Sequence, residues 1–236
     1  MKKELKKYLD EGYVTFNFFR KEEYNLIYEF AVKWFYKVCK IKSKNLEKFP
    51  IEKYHIWSRK KDLDHSKICS AKNRYMYPPK KIQKIIINNK KIKYFLNKIG
   101  IKKFKMWDDG WGWIGFRIIR PRKNDGYPLS QKNWGVAKNV VSFWFPIIGK
   151  SKTDTLTLVP KSNLKNYEFY LPKNSKFTKG EFRLKQKYKN KLKLFNPELK
   201  NNEVIIYSAK TLHAESNKKI KKTRFNLEFR FKPITK

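Results

Sequence analysis

Carboxylates are scarce in this chain: 20 Asp and Glu stand against 58 Lys and Arg over 236 residues, for a formal net charge of +38. That imbalance draws in anionic substrates and makes the binding of any acidic partner salt-dependent. Cysteine is nearly absent. Cys39 and Cys69 are too few for a disulfide framework and lack metal-ligand spacing, and Cys39 lies in an apolar helical run that reads as core. Long apolar runs are missing as well: no segment can span a bilayer, and the N-terminal MKKELKKYLDEG lacks the apolar stretch of a signal peptide. The expectation is a cytoplasmic protein with no membrane span.

What is present is globular. Hydrophobic residues make up 40% and aromatics 17%, far above the content of a disordered chain. The length fits one domain, residues 1–236, able to bury a core without disulfides or structural metal. The lysine runs (Lys2-Lys3, Lys60-Lys61, Lys80-Lys81, Lys90-Lys91, Lys218 to Lys222) are spread from end to end, which reads as a general lysine bias ahead of a built nucleic-acid surface.

Along the chain, residues 1–100 read as a mostly helical cover. A short basic helix ends at Gly12, and Tyr13 to Phe19 form a strand of strong β formers. From Lys21 to about Lys44, Leu26, Ile27, Phe30, Ala31, Trp34, Phe35 and Val38 recur at helical spacing, and a second helix is expected from Pro79 to about Ile99. His55 and His65 share no helical face and have no third ligand at useful spacing, so both read as surface or hydrogen-bonded histidines. From residue 101 the texture changes to about seven short strands separated by turns. Helices followed by strands give an α+β, mainly β architecture, a jelly roll with its helices packed on one sheet. A basic, low-apolar stretch of about 173–200 reads as a solvated insertion.

The C-terminal run NEVIIYSAKTLHAESNKKIKKTRFNLEFRFKP, from Asn202, carries the chemistry. An apolar strand delivers His213; a basic turn follows, and a second strand puts Arg224, Asn226, Glu228 and Arg230 on one face and Phe225, Leu227, Phe229 and Phe231 on the other. His213 followed by Ala-Glu-Ser-Asn217 and Arg224 resembles the end of the phytanoyl-CoA dioxygenase-like branch of the Fe(II)/2-oxoglutarate oxygenases. LDEGYVTFNFFRKEE at Leu9 to Glu23, VSFWFPI at Val141 to Ile147 and LVPKSN at Leu158 to Asn163 are similar to further stretches of that family, in the same order. The resemblance implies a double-stranded β-helix (cupin-like) fold with Fe(II) and 2-oxoglutarate as cofactors. It makes His213 the distal iron ligand and Arg224 the 2-oxoglutarate anchor, with Asn226 on the anchor's face and Trp144 lining the pocket. The activity implied is hydroxylation of a small, or a lipid-, sugar- or carboxylate-type, substrate.

The pattern also departs from the family. A facial triad needs two histidines and one carboxylate. The family's His-x-Asp belongs in the loop KNDGYPLSQKNWG, where this chain has Ser130, Gln131 and Lys132, and no histidine lies between His65 and His213. Asp125 is the one carboxylate close by, so His213 and Asp125 are the candidate metal ligands, and impaired or lost iron binding is the expectation. A non-catalytic binding protein on the same fold is the alternative.

Arg224-x-Asn226-x-Glu228-x-Arg230 is also similar to the Arg-x-Asn-x-Thr-x-Arg signature of oxygenases that repair alkylated nucleic acids. There the histidine lies farther upstream, so a nucleic-acid-directed oxygenase or a basic nucleic-acid-binding protein is the further alternative. If the lysines are diffuse bias, DNA and RNA should bind weakly at physiological salt and without sequence preference. Electrophoretic mobility shifts across a salt series test this; a sequence-selective complex that survives about 200 mM salt overturns it.

Overall fold

One strand lies at the centre of the structure, a computed structural model that describes residues 2–42, 45–69, 78–107, 113–121, 123, 125–131, 139–149, 155–171, 183–200, 202–215 and 220–234. That strand is β10 (Arg224–Pro233). Ahead of it in chain order come α1 (Lys2–Glu11), β1 (Tyr13–Asn17), α2 (Lys21–Val38), α3 (Tyr54–Lys60), α4 (His65–Ile68), α5 (Lys80–Ile87) and α6 (Lys90–Lys98). They are followed by β2 (Phe104–Met106), β3 (Ile114–Ile119), β4 (Val141–Ile148), β5 (Thr157–Leu158), β6 (Phe169–Tyr170), β7 (Arg183–Leu184), α7 (Gln186–Lys189), β8 (Glu203–Ser208) and β9 (His213–Ala214). The larger sheet is antiparallel, in the order β1-β8-β4-β10-β2, with β3 also paired to β10.

Strict alternation along β10 sorts its side chains between two environments. Phe225, Leu227, Phe229 and Phe231 are fully buried in the main apolar core with Phe116, Phe143 and Phe145 of the neighbouring strands. Helices close that face: Trp34 of α2 stacks on Phe225 at 5.7 Å between ring centroids, and Ile27, Ala31 and Phe35 join the same core with Ile86 of α5 and Phe95 of α6. The expected helical cover over one sheet is therefore present.

The opposite face meets a second, smaller sheet. Ser130 bridges to His213, His213 pairs with Leu158, and Leu158 bridges to Phe195, so four chain segments lie side by side. Tyr13, Trp144, Ile205 and Tyr207 of the large sheet pack against Leu156 and Leu158 of the small one. Two antiparallel sheets facing each other make the jelly roll, with helices on the outside of the larger sheet.

Three sequence expectations are corrected. The helix from Pro79 to Ile99 is two helices, because Asn89 Oδ1 accepts from the Ile92 amide and caps α6 while Asn89 Nδ2 donates to the Phe18 carbonyl. The helix from Lys21 ends at Val38, short of Lys44. Of the basic stretch 173–200, residues 173–182 lie outside the described residues, and the remainder is more than a solvated insertion. Leu184 is buried, Phe195 pairs with Leu158, and the Pro197 carbonyl accepts from Thr155 Oγ1 at 2.7 Å.

A polar knot fixes α4 to the loop after β3. Asp125 accepts from Arg120 Nε and Nη2, each at 2.8 Å, and lies 3.4 Å from His65 Nε2, while Tyr54 Oη meets His65 Nδ1 at 3.1 Å. Burial raises the Asp125 carboxyl, but the Arg120 fork and His65 outweigh it and hold it below its ordinary range. For His65, burial dominates over Asp125 and pushes the imidazole down to about 4.

Two stability tests follow. Phe225→Ala removes a ring at the centre of the sheet-helix contact and should cost about 3–5 kcal/mol in urea denaturation. For His65 the folded value lies below the unfolded one, so as pH falls from about 6.5 toward about 4 the unfolded chain takes up the proton first and stability declines. His65→Gln should flatten that decline, by up to about 3 kcal/mol across the window. Identical pH profiles for the variant and the wild type would remove His65 as the cause.

Candidate functional site

The inner face of the large sheet carries charge. Arg224, Asn226, Glu228 and Arg230 are at most 6% exposed, and cross-strand register sets Glu228 beside Trp144, Asn226 beside Arg117 and Arg230 beside Ser142. Arg224 thus points into the barrel and away from water, as its alternation with the phenylalanines requires.

Buried ions need partners, and two groups supply them. In the first, Arg224 Nη2 lies 3.4 Å from Glu215 Oε1, and the same oxygen accepts from Trp144 Nε1 at 3.1 Å. The Arg224 guanidinium also sits over the Trp144 ring at 5.3 Å and donates to the Thr155 carbonyl at 3.5 Å. In the second, Glu228 Oε2 is 3.1 Å from Arg117 Nε and 3.5 Å from Arg230 Nη2. Burial, and then the nearby Glu228 carboxylate, push the Glu215 carboxyl above its ordinary range against the pull of Arg117, Arg224 and the Trp144 N–H.

The strand β9 brings His213 to the same interior. Its Nδ1 is 2.7 Å from the Thr211 carbonyl, and its ring packs on Tyr207 at 4.6 Å and edge-on to Tyr127 at 5.5 Å. Gly126 lets the loop 125–131 press against this strand, since a Cβ there would collide with the Glu215 carbonyl oxygen. Tyr127 O accepts from the Glu215 amide at 3.3 Å, and Ser130 exchanges both backbone hydrogen bonds with His213 at 3.0 Å.

Of the residues singled out in the sequence, Arg224, Asn226, Trp144 and His213 are all buried on this interior. Asp125 is engaged with Arg120 and His65, and no contact among the described residues joins it to His213. Sequence reasoning passed over Glu215 and Arg117. Glu215 stands two positions from His213, so strand alternation was the signal available for it.

An iron centre of two histidines and one carboxylate does not fit these donors. The chain has three histidines; His55 bonds to Thr223 Oγ1 at 3.0 Å, and His65 is held in the knot around Asp125. Beside His213 stands Ser130, a hydroxyl, while Lys132 lies outside the described residues. Among the described residues no group of three His, Cys, Asp or Glu could hold a metal ion. Helices long and apolar enough to cross a membrane are likewise absent among them.

No family model matches the chain, and no curated protein matches its sequence. Solved structures do share its fold. The non-haem α-ketoglutarate-dependent carbocyclase SnoK from nogalamycin biosynthesis superposes with a TM-score of 0.60 at 10% identity, covering 98% of this chain and 83% of its own. The epimerase SnoN, in complex with Fe3+, α-ketoglutarate and nogalamycin RO, gives 0.59 at 9% identity over the same shares, 98% and 83%. EctD from S. alaskensis, with 2-oxoglutarate and 5-hydroxyectoine, gives 0.54 at 9% identity over 99% and 76%. The chain has the jelly-roll fold on which these iron- and 2-oxoglutarate-dependent enzymes are built.

Proposed function

We propose that this protein is a non-catalytic small-molecule-binding protein on the 2-oxoglutarate oxygenase fold, one that has lost the iron centre. The observation that carries the reading is the pairing of Ser130 with His213: the strand position beside the one interior histidine offers a hydroxyl in place of an imidazole. A hydroxyl is a poor Fe(II) ligand, and a single imidazole binds iron weakly. The spacing from His213 to Arg224 supports descent from the phytanoyl-CoA dioxygenase-like branch.

Polar groups support the binding role. Both amide atoms of Asn226, the Ser142 hydroxyl and Glu215 Oε2 are buried on the inner face without a hydrogen-bond partner among the described residues. Buried polar atoms are normally satisfied, so these are the groups a bound molecule would bridge. Trp144, Ile205, Leu156 and Leu158 form the apolar cluster between the same two sheets.

Anaerobic titration tests the loss of iron. The wild type should show no stoichiometric Fe(II) binding in the micromolar range, and 2-oxoglutarate should yield no succinate under air. Stoichiometric micromolar binding that disappears in His213→Ala would return the protein to the hydroxylases.

A further inference from the structure

We infer that Glu215 is an internal occupant of the Arg224 carboxylate subsite and sets the specificity of the barrel, excluding dicarboxylates from the wild-type protein. The inference deepens the binding role proposed above and rests on it.

A buried guanidinium inside a barrel is a strong receptor for a carboxylate, because its fork of donors matches the two oxygens and little water competes. Here that receptor already faces a carboxyl group of its own chain. Arg224 and Glu215 are both fully buried as side chains, 3.4 Å apart, and the oxygen that meets Arg224 also takes the Trp144 N–H at 3.1 Å. Oε1 can accept from both donors whether the carboxyl is ionised or neutral, so the subsite is filled by position. The arrangement is anchored from behind: the Glu215 amide donates to Tyr127 O, and Gly126 leaves no room for a side chain between loop and strand.

An incoming dicarboxylate must therefore displace Glu215 from both Arg224 and Trp144 and leave that carboxyl buried beside Glu228, which already acts on it electrostatically. Arg117, Tyr127 and Tyr207 share the same electrostatic neighbourhood, and of these only the Arg117 guanidinium would favour a second anion. The ligand compatible with the filled subsite is a neutral molecule that presents hydrogen-bond donors to Glu215 Oε2, the oxygen that Arg224 and Trp144 leave open.

The test uses the full chain with glutarate and 2-oxoglutarate as probes, read by calorimetry and by ligand-dependent thermal shift. Wild type and Glu215→Gln, which keeps an acceptor in the subsite, should bind neither probe measurably. Glu215→Ala should bind both with a Kd at least about tenfold below the highest probe concentration at which wild type shows no binding, and Glu215→Ala/Arg224→Ala should lose that gain. If the alanine variant folds poorly, Glu215→Ser, which keeps a small polar group near Trp144, takes its place in the same series. Equal binding of the probes by wild type and the opened variant overturns the inference while leaving the binding role intact. An opened variant that gains nothing from either probe overturns it as well. The iron titration fails or succeeds independently of this series.

Discussion

The constraint on which the rest of the structure depends is the two-sidedness of β10. Flanked by β3 and β4, the strand has no solvent edge over most of its length, so each residue must settle on the helical side or in the barrel. Phenylalanines take the helical side, which fixes Arg224, Asn226, Glu228 and Arg230 in the interior. Removing an ion from water costs several kcal/mol, so each of these charges demands a partner that is itself buried. Glu215 just past β9 and Trp144 of β4 are such partners for Arg224, while Glu228 pairs with Arg230 of its own strand and with the half-buried Arg117 of β3. The polar interior is in this sense a consequence of the apolar exterior of one strand.

The same pairing argues against a metal in that interior. A facial-triad iron site needs one carboxylate oxygen beside its imidazoles, and among the described residues the inner-face carboxylates Glu215 and Glu228 are bonded to guanidinium groups. Three arginines nearby would repel a dication at short range, in a medium where charge interactions are stronger than in water. A single imidazole does not offset that repulsion.

How much of this was legible in the sequence depended on the distance over which the signal acted. The alternation of Arg224 to Phe231 is local and appears where expected, and so does the stripe of α2 through Ile27, Ala31, Trp34 and Phe35, although Leu26, expected on it, is exposed. The break at Asn89 was missed because Ile82, Ile86, Ile92 and Phe95 keep apolar spacing on both sides of it, and only the cap and the bond to Phe18 reveal the stop. The knot of His65, Asp125 and Arg120 joins residues about sixty positions apart, and no pattern in one sequence links them. Short pairings such as β9 and the Phe195 bridge carry too few residues to show a period, which is why the stretch after 183 read as solvent-exposed. Glu215 was within reach, since a strand that turns His213 inward turns its second neighbour inward too.

The exterior charge gives the interior pairing a further significance. Lysines on α1, α5 and α6 are exposed, and their field raises the concentration of anions around the whole molecule. An open guanidinium inside such a protein would fill with whatever carboxylate is abundant, and the barrel would discriminate poorly among ligands. With Glu215 already in place, an anion drawn to the surface by the +38 charge finds no vacant cation at Arg224 and must displace a group tethered by its own backbone. Tethering gives that group a high effective concentration, so attraction at long range and selection at short range act in opposite directions on the same class of molecule.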